Sequence, residues 1–365
     1  MTDDWAAELE GRRLEFVRIL ERHGCDLGLV FGTLARAEHV RYLTGFAPSM
    51  GDAWLVVRAG DDVSGFLDFT WLVDEARRSS GFDDWRAEFT AVGILIEALA
   101  AEQPGRLGVA GLERIAARDW DDVRARLPST EIADLSAELT VMRRRKSPLE
   151  ADRLRAAARR TDRALDAARH EARPRVTEAE LAARLGYELG PEWSFAPCVI
   201  SGQNDPVPIR EPSERELESG DTVMLDLGAA YDGYQADASR TLVLGRPTAA
   251  QRRAWDAVRR AYDAALAAVR PGSPCAAAQE AAAKTVEADG YRLAHRIGHG
   301  IGLATSFEWP SLDREQQPFE PGMTICIEPA VCLDGVGVMK LEDDLLVTDD
   351  GCEVLTFADA TLTTG

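Results

Sequence analysis

One segment narrows the possible folds of this chain more than any other. It runs from Thr222 to Asp237, with Asp226 in its first half and Asp232-Gly233 in its second. Two apolar runs flank Asp232-Gly233, a dipeptide suited to a two-residue hairpin turn because both central positions of that turn need positive φ. With those residues at the turn, Asp237 falls opposite Gly228. Gly228 shares a face with Asp226, because strand side chains alternate. The two carboxylates therefore project from one face of a hairpin. Buried together they repel each other unless a cation stands between them. Solvated aspartates on an exposed face are the bland alternative, and this segment alone does not exclude it.

Three more segments weigh against the bland alternative. His295 and His299 sit on a Gly-rich, tightly turned stretch that ends at Gly302. Glu328 closes an apolar strand just before Pro329, and Glu342 opens an acidic cluster inside the apolar run from Val338 to Val347. A satisfied core histidine, a salt-bridged glutamate and a charged strand edge could each occur singly. Their joint occurrence by chance is improbable. Cys326 would share a face with Glu328 only in a strand, and it reads as a core residue.

Together these motifs resemble the pita-bread metallopeptidases: methionine aminopeptidase, aminopeptidase P, prolidase and their creatinase-like relatives. The resemblance extends to Ser239-Arg240-Thr241, to Arg41–Phe46 and to Lys146-Ser147-Pro148, so it covers nearly the whole chain. It points to the aminopeptidase P, prolidase and creatinase branch. It implies an α+β protein with a C-terminal pita-bread domain and a smaller N-terminal α/β domain of the creatinase type. It further implies two divalent metal ions held by Asp226, Asp237, His299, Glu328 and Glu342. Such an oxygen-rich set suits manganese first, with cobalt, iron or zinc as alternatives. Paired ions can share and activate a water and polarise the carbonyl it attacks. By the same resemblance His295 and Glu328 are catalytic, and His295, Ile209, Ser306, Arg240 and Tyr234 belong to the substrate side.

The chain departs from its relatives at two places. Peptidases of this branch carry a His after the Pro that follows an SGxN segment; here Ser201–Asn204 is present, but Pro208 is followed by Ile209. A second His normally lies seven residues after the metal-binding one, and that position is Ser306. With five histidines in the whole chain, neither has shifted nearby: His23, His39 and His170 lie too early. Isoleucine cannot move protons, and serine is a poor acid near neutral pH. His295 and Glu308 are candidates to take over part of that work. Three function classes stay open. The first is an Xaa-Pro aminopeptidase or prolidase-like hydrolase of atypical preference. The second is a hydrolase or lyase acting on a non-peptide C–N bond, in the manner of creatinase or ectoine hydrolase. The third is a non-catalytic binding module, for which five metal ligands serve no purpose.

A length of 365 residues predicts two domains. Residues 1–140 read as alternating helices and strands: a helix from Trp5 to His23, then strand signals at Leu27–Phe31, Val40–Leu43, Ala53–Val57 and Val63–Phe69. A helix from Ala91 to Ala101 and a strand from Arg106 to Val109 follow. No Gly-rich phosphate loop stands at any strand-to-helix turn. Residues 147–365 form the second domain. Capping-box patterns at Ser147–Glu150, Thr177–Glu180 and Thr248–Gln251 open helices, and Ser273-Pro274 opens another. The resulting order, two helices then strands, occurs twice. The formal net charge of −20 opposes binding to nucleic acid or anionic membrane. The basic run Arg143–Lys146 reads as a solvated or salt-bridged linker. There is no secretory signal or membrane-length apolar stretch, and the six cysteines lack CxxC spacing, so the expectation is a cytoplasmic protein with reduced thiols. The expected partners are a short peptide or small-molecule substrate and, by resemblance, a second copy in a homodimer.

Overall fold

The computed structural model describes residues 2–203, 207–304 and 308–363. The chain forms two compact units, Met1–Arg143 and Arg144–Gly365. In the first, helices α1 (Asp3–Arg22), α2 (Glu38–Thr44), α3 (Val73–Ser80), α4 (Val92–Glu102), α5 (Ala117–Arg126) and α6 (Ser136–Arg144) accompany six strands. These are β1 (Leu27–Thr33), β2 (Asp52–Val57), β3 (Val63–Leu67), β4 (Trp85–Ala87), β5 (Arg106–Ala110) and β6 (Glu131–Asp134). They make one mixed sheet in the order β4-β3-β2-β1-β5-β6. Phe31, Trp54, Val56, Leu95 and Val109 belong to its buried core.

The strand expected at Val40–Leu43 is instead part of α2. A four-residue apolar run has no period of its own, and here the flanks decide. Glu38 occupies the first turn, and Gly45, at φ 71°, ends the helix in the left-handed conformation.

The second unit opens with α7 (Pro148–Glu171) and α8 (Glu178–Leu189), followed by β7 (Trp193–Ser201), β8 (Thr222–Tyr231), β9 (Tyr234–Gln235) and β10 (Ala238–Val243). Then come α9 (Ala249–Ala268), α10 (Ala276–Ala288), β11 (His299–Gly300), β12 (Glu308–Ser311), β13 (Thr324–Ile327), β14 (Ala330–Leu333), β15 (Gly337–Lys340), β16 (Asp343–Val347) and β17 (Cys352–Val354). Both halves thus run helix, helix, strands. Capping boxes form at Ser147/Glu150, Thr177/Glu180 and Thr248/Gln251, each satisfying backbone donors that a helix start leaves unpaired. At Ser273-Pro274 the helix begins slightly later, with Cys275 at its cap. In the basic run, Arg144 pairs with Glu320, while Arg143 is buried against His39 Nδ1 at 2.7 Å.

Strands β10, β8 and β7 form one sheet, with β9 paired to β8. A second sheet runs β12-β11-β13-β16-β17, and β14 pairs with β15. The two larger sheets meet where Ser239 bridges Glu342. Helix α7 buries a face of small residues, Ala157, Ala158, Thr161, Ala164 and Ala168. From that face Thr161 Oγ1 accepts the Ala229 N–H at 2.9 Å. Each large aliphatic side chain added to such a core contributes roughly 1.5–3 kcal/mol. Leu165, Leu185, Val199 and Leu225 supply that anchor here. No helix among the described residues is long and apolar enough to cross a membrane, and all six cysteines carry free thiols.

Candidate metal centre

The hairpin that carries the two aspartates has the register its turn dictates. Asp232 and Gly233 both adopt positive φ, 48° and 79°. Tyr231 pairs with Tyr234, and beyond the turn Leu227 pairs with Ala238 and Asp226 with Ser239. Gly228, opposite Asp237, permits the close crossing. A Cβ there would lie 1.9 Å from the Ala236 carbonyl oxygen. Asp237 sits in the break between β9 and β10, where its N–H donates to Asp344 Oδ2 at 3.0 Å. That bond fixes the backbone that aims its carboxylate.

His299 begins β11. Its Nδ1 lies 2.9 Å from the Gly300 carbonyl oxygen. A carbonyl can only accept, so Nδ1 carries the proton and Nε2 presents a lone pair. Nε2 stands 3.6 Å from Asp237 Oδ2 and 3.9 Å from Glu328 Oε1. Glu342 is fully buried and accepts from Ser239 Oγ at 2.7 Å on Oε2.

A cleft of about 570 Å³ is lined by Asp226, Asp237, His299, Glu328, His295 and Ile209, among others. Asp237, His299, Cys326 and Glu342 can each offer one donor atom, all four within 4.8 Å of one another. The buried oxygens Asp226 Oδ1 and Glu342 Oε1 have no hydrogen-bond partner among the described residues. Unpaired buried acceptors on crowded carboxylates are what a divalent cation satisfies, so the donor set fits one. Burial pushes the carboxyls of Asp226 and Asp237 up. For Asp237 the charges of Glu342 and Asp226 add to the rise.

Lys340, to which the sequence assigned no role, ends β15 two residues before Glu342. It is 1% exposed, and its ammonium lies 2.7 Å from Asp226 Oδ2, 2.8 Å from Glu328 Oε2 and 3.0 Å from Glu342 Oε2. Burial alone would lower its pKa. The carboxylates of Asp226, Glu328 and Glu342 outweigh burial and hold it well above the usual lysine value. The available signal was strand alternation, which puts residues 340 and 342 on one face. Cys326 was also read only as core. It is buried on β13, yet its thiol stands among the donors.

The substrate-side candidates divide. His295 lines the cleft; its Nδ1 is 2.6 Å from the Arg296 carbonyl oxygen, and its buried Nε2 has no partner among the described residues. Ile209 lines the cleft wall. Arg240 and Tyr234 do not line it. Arg240 is buried, bonding the carbonyls of Ala358, Ser239 and Glu342 and the carboxylate of Asp343. The Tyr234 hydroxyl donates to Glu150 Oε1 at 2.9 Å. Both tie strands together. Glu308 is buried, with Lys146 Nζ 3.9 Å from its Oε1. Ser306 and Asn204 lie outside the described residues.

The stretch carrying Ile209 is anchored by Glu178, which opens α8. Its carboxylate accepts from Arg210 at 2.7 and 2.8 Å, from the Ser213 N–H and hydroxyl at 2.9 and 2.7 Å, and from the Ser201 N–H and hydroxyl at 2.7 Å each. Burial raises this carboxyl, but the bonds from Arg210, Ser213 and Ser201 prevail and bring it down to about 2.

A model of metallopeptidase family M24 matches residues 152–349, more than half of the chain. An uncharacterized peptidase of Staphylococcus saprophyticus is 30% identical over 229 residues, 61% of this chain and 65% of that protein. A counterpart in Staphylococcus aureus strain MRSA252 is 31% identical over the same extent. The chain therefore spans about 65% of the length of the curated relatives it matches. Among solved structures, the prolidase from Pyrococcus horikoshii OT3 superposes with a TM-score of 0.87 at 24% identity, covering 97% of this chain and 99% of that one. The X-Pro aminopeptidase from Thermotoga maritima MSB8 gives 0.87 at 22%, covering 96% and 99%. The prolidase from Pyrococcus furiosus gives 0.83 at 25%, covering 94% and 99%. The fold is prolidase-like, with an N-terminal α/β domain and a C-terminal pita-bread domain.

The Glu178 anchor yields a prediction about pH. Its folded-state pKa lies below the ordinary glutamate value of 4.5. Its stabilisation is therefore complete above pH 4.5 and is lost as pH falls toward 2. Glu178→Gln should cost roughly 3 kcal/mol in urea denaturation at pH 7, as expected for breaking a buried charge-assisted network. It should also flatten the acid limb of the stability profile. An unchanged acid limb in the variant would contradict this assignment.

Proposed function

The chain belongs to metallopeptidase family M24, and on that premise we propose that it is a metal-dependent hydrolase of short peptides or related amides with an atypical preference. The observation that carries this reading is the convergence of Asp226, Asp237, His299 and Glu328 on one cleft, with the fully buried Glu342 offering a donor beside Asp237 and His299. These five are the residues we assign to hold the metal, and the preponderance of carboxylate oxygen favours manganese. The Cys326 thiol beside them widens the choice toward zinc, cobalt or iron. A bound divalent ion supplies Lewis acidity, which lowers the pKa of a water and polarises a carbonyl.

The protein's own groups do the rest. His295 lines the cleft, with Nδ1 held by the Arg296 carbonyl and a buried Nε2 that has no partner among the described residues. Neutral, it accepts a hydrogen bond from a substrate N–H; protonated, it donates to a departing nitrogen. Glu328 reaches Lys340 through Oε2 and the His299 side through Oε1, so it serves as ligand and proton acceptor. Ile209 gives this wall an apolar surface with nothing to titrate. That wall favours a second reading alongside the first, a substrate whose scissile C–N bond is not a peptide bond.

Chelation of the purified protein should abolish turnover, and manganese should restore it. Asp237→Asn should reduce turnover by at least about 10² while leaving the far-ultraviolet circular dichroism unchanged. Wild-type rates in the chelated protein or in the variant would refute the metal assignment.

A positioned proton donor is typically worth roughly 10²–10⁴ in rate. Xaa-Pro dipeptides and tripeptides should therefore be poor substrates. Ile209→His combined with Ser306→His should raise their turnover within that range. Fast Xaa-Pro cleavage by the unmodified enzyme would make it an ordinary peptidase of this type, and cleavage of no peptide at all would favour the non-peptide reading.

We also propose a homodimer as the working assembly. Light scattering at micromolar concentration should give twice the mass of one chain, and a monomer mass would count against it.

A further inference from the structure

Strand β13 turns one of its faces to the core. Ile325 and Ile327 belong to the large buried apolar cluster of the C-terminal unit. Strand alternation puts Thr324 and Cys326 on the opposite face. Cys326 pairs with Asp344 of β16, the residue whose carboxylate accepts the Asp237 N–H. A small buried cysteine is ordinarily a core residue. This one faces the acids.

The group around it has the chemistry of a metal site. Cys326, Asp237, His299 and Glu342 each offer one donor atom, all within 4.8 Å of one another, and all four residues are buried. Two donors on one ion are separated by at most the sum of their bonds. That sum is roughly 4.3–4.5 Å for a Zn–S bond of about 2.3 Å and a Zn–N or Zn–O bond of about 2.0–2.2 Å. The set is gathered close to that limit, so modest side-chain rotation brings all four onto one ion. His299 has Nδ1 held by the Gly300 carbonyl oxygen, which leaves the Nε2 lone pair for ligation. Glu342 Oε1 is buried without a hydrogen-bond partner among the described residues, an acceptor that a cation satisfies. Among side chains of its size, only cysteine adds a soft anionic donor once a metal displaces its proton.

We propose that the Cys326 thiolate is a ligand of the ion beside His299, joining Asp237, Glu328 and Glu342, and that it biases this centre toward zinc, cobalt or iron over manganese. The inference rests on the metallohydrolase reading and deepens it. The carboxylates admit manganese, and the sulfur sets the order of preference. The thiol proton passes to solvent as the ion enters. Only the His299 side is concerned, and the Asp226 side stays as assigned.

The test uses the full-length protein stripped of metal and loaded with Co²⁺, with bound cobalt counted by mass spectrometry. We expect a sulfur-to-cobalt charge-transfer band in the near ultraviolet. It should vanish in Cys326→Ser and persist in Cys198→Ser, which alters the described thiol that lines the cleft. In competition titrations, Cys326→Ser should lower the affinity for Zn²⁺ relative to Mn²⁺ by at least about tenfold, the scale on which even outer-shell partners of a metal act. Three results would each overturn the proposal and leave the hydrolase reading standing: bound cobalt without the band, a band that survives Cys326→Ser, or an unchanged zinc-to-manganese ratio. A protein that retains none of these ions would overturn both. Should Cys326→Ser fail to fold, X-ray absorption of zinc-loaded Cys198→Ser protein decides. A sulfur scatterer at about 2.3 Å supports the proposal, and a shell of nitrogen and oxygen alone overturns it.

Discussion

Four buried carboxylates, three lining one cleft and Glu342 beside them, repel each other, and much of the C-terminal unit can be understood as the means of holding them there. At a separation of 4 Å and the screening typical near a protein surface, one such pair costs about 4 kcal/mol. Two compensations are built into the chain. The first is electrostatic, the ammonium of Lys340 among Asp226, Glu328 and Glu342. The second is mechanical. The strands bearing the acids are fixed by bonds that do not use the acids' remaining acceptor atoms.

Arg240 illustrates the second. Its guanidinium joins the carbonyls of Ser239 and Glu342, the carboxylate of Asp343 and the carbonyl of Ala358. It thereby clamps β10 to the segment carrying Glu342 at the place where the two sheets meet. Ser239 adds backbone and hydroxyl bonds to Glu342, and Asp344 holds the Asp237 N–H. A planar group with five donors suits such a clamp better than an ammonium would. At position 340 the requirement is the reverse, a compact point charge among three oxygens.

The parts of this arrangement visible in the sequence were those with local causes. Asp232-Gly233 fixed its own turn, the turn fixed the register, and the register brought Asp226 and Asp237 to one face. Ser147, Thr177 and Thr248 announced their helices because a capping box is complete within four residues. What the sequence concealed was non-local or ambiguous. The apolar run Val40–Leu43 is too short for strand and helix periods to differ, and it lies in α2. Arg240 and Tyr234 sit beside the aspartates in the chain, yet their partners, Ala358 and Glu150, are 118 and 84 positions away. Lys340 lies two residues from Glu342 in the chain, but its meaning depends on acids delivered by three separate segments.

The hydrogen bond from Tyr234 to Glu150 also bears on where the catalytic unit begins. Glu150 completes the cap of α7 with Oε2 and accepts the tyrosine hydroxyl with Oε1. One side chain therefore secures both the first turn of the helix and the strand beside Asp237. At the other end, Arg240 depends on the carbonyl of Ala358. Both anchors fall outside residues 152–349, the span by which the family is recognised. The stretch of sequence that identifies this chemistry is thus shorter than the stretch needed to hold it in shape. A fragment trimmed to the recognisable span would retain every acid of the centre and the histidine while losing Glu150 at one end and the Ala358 carbonyl at the other.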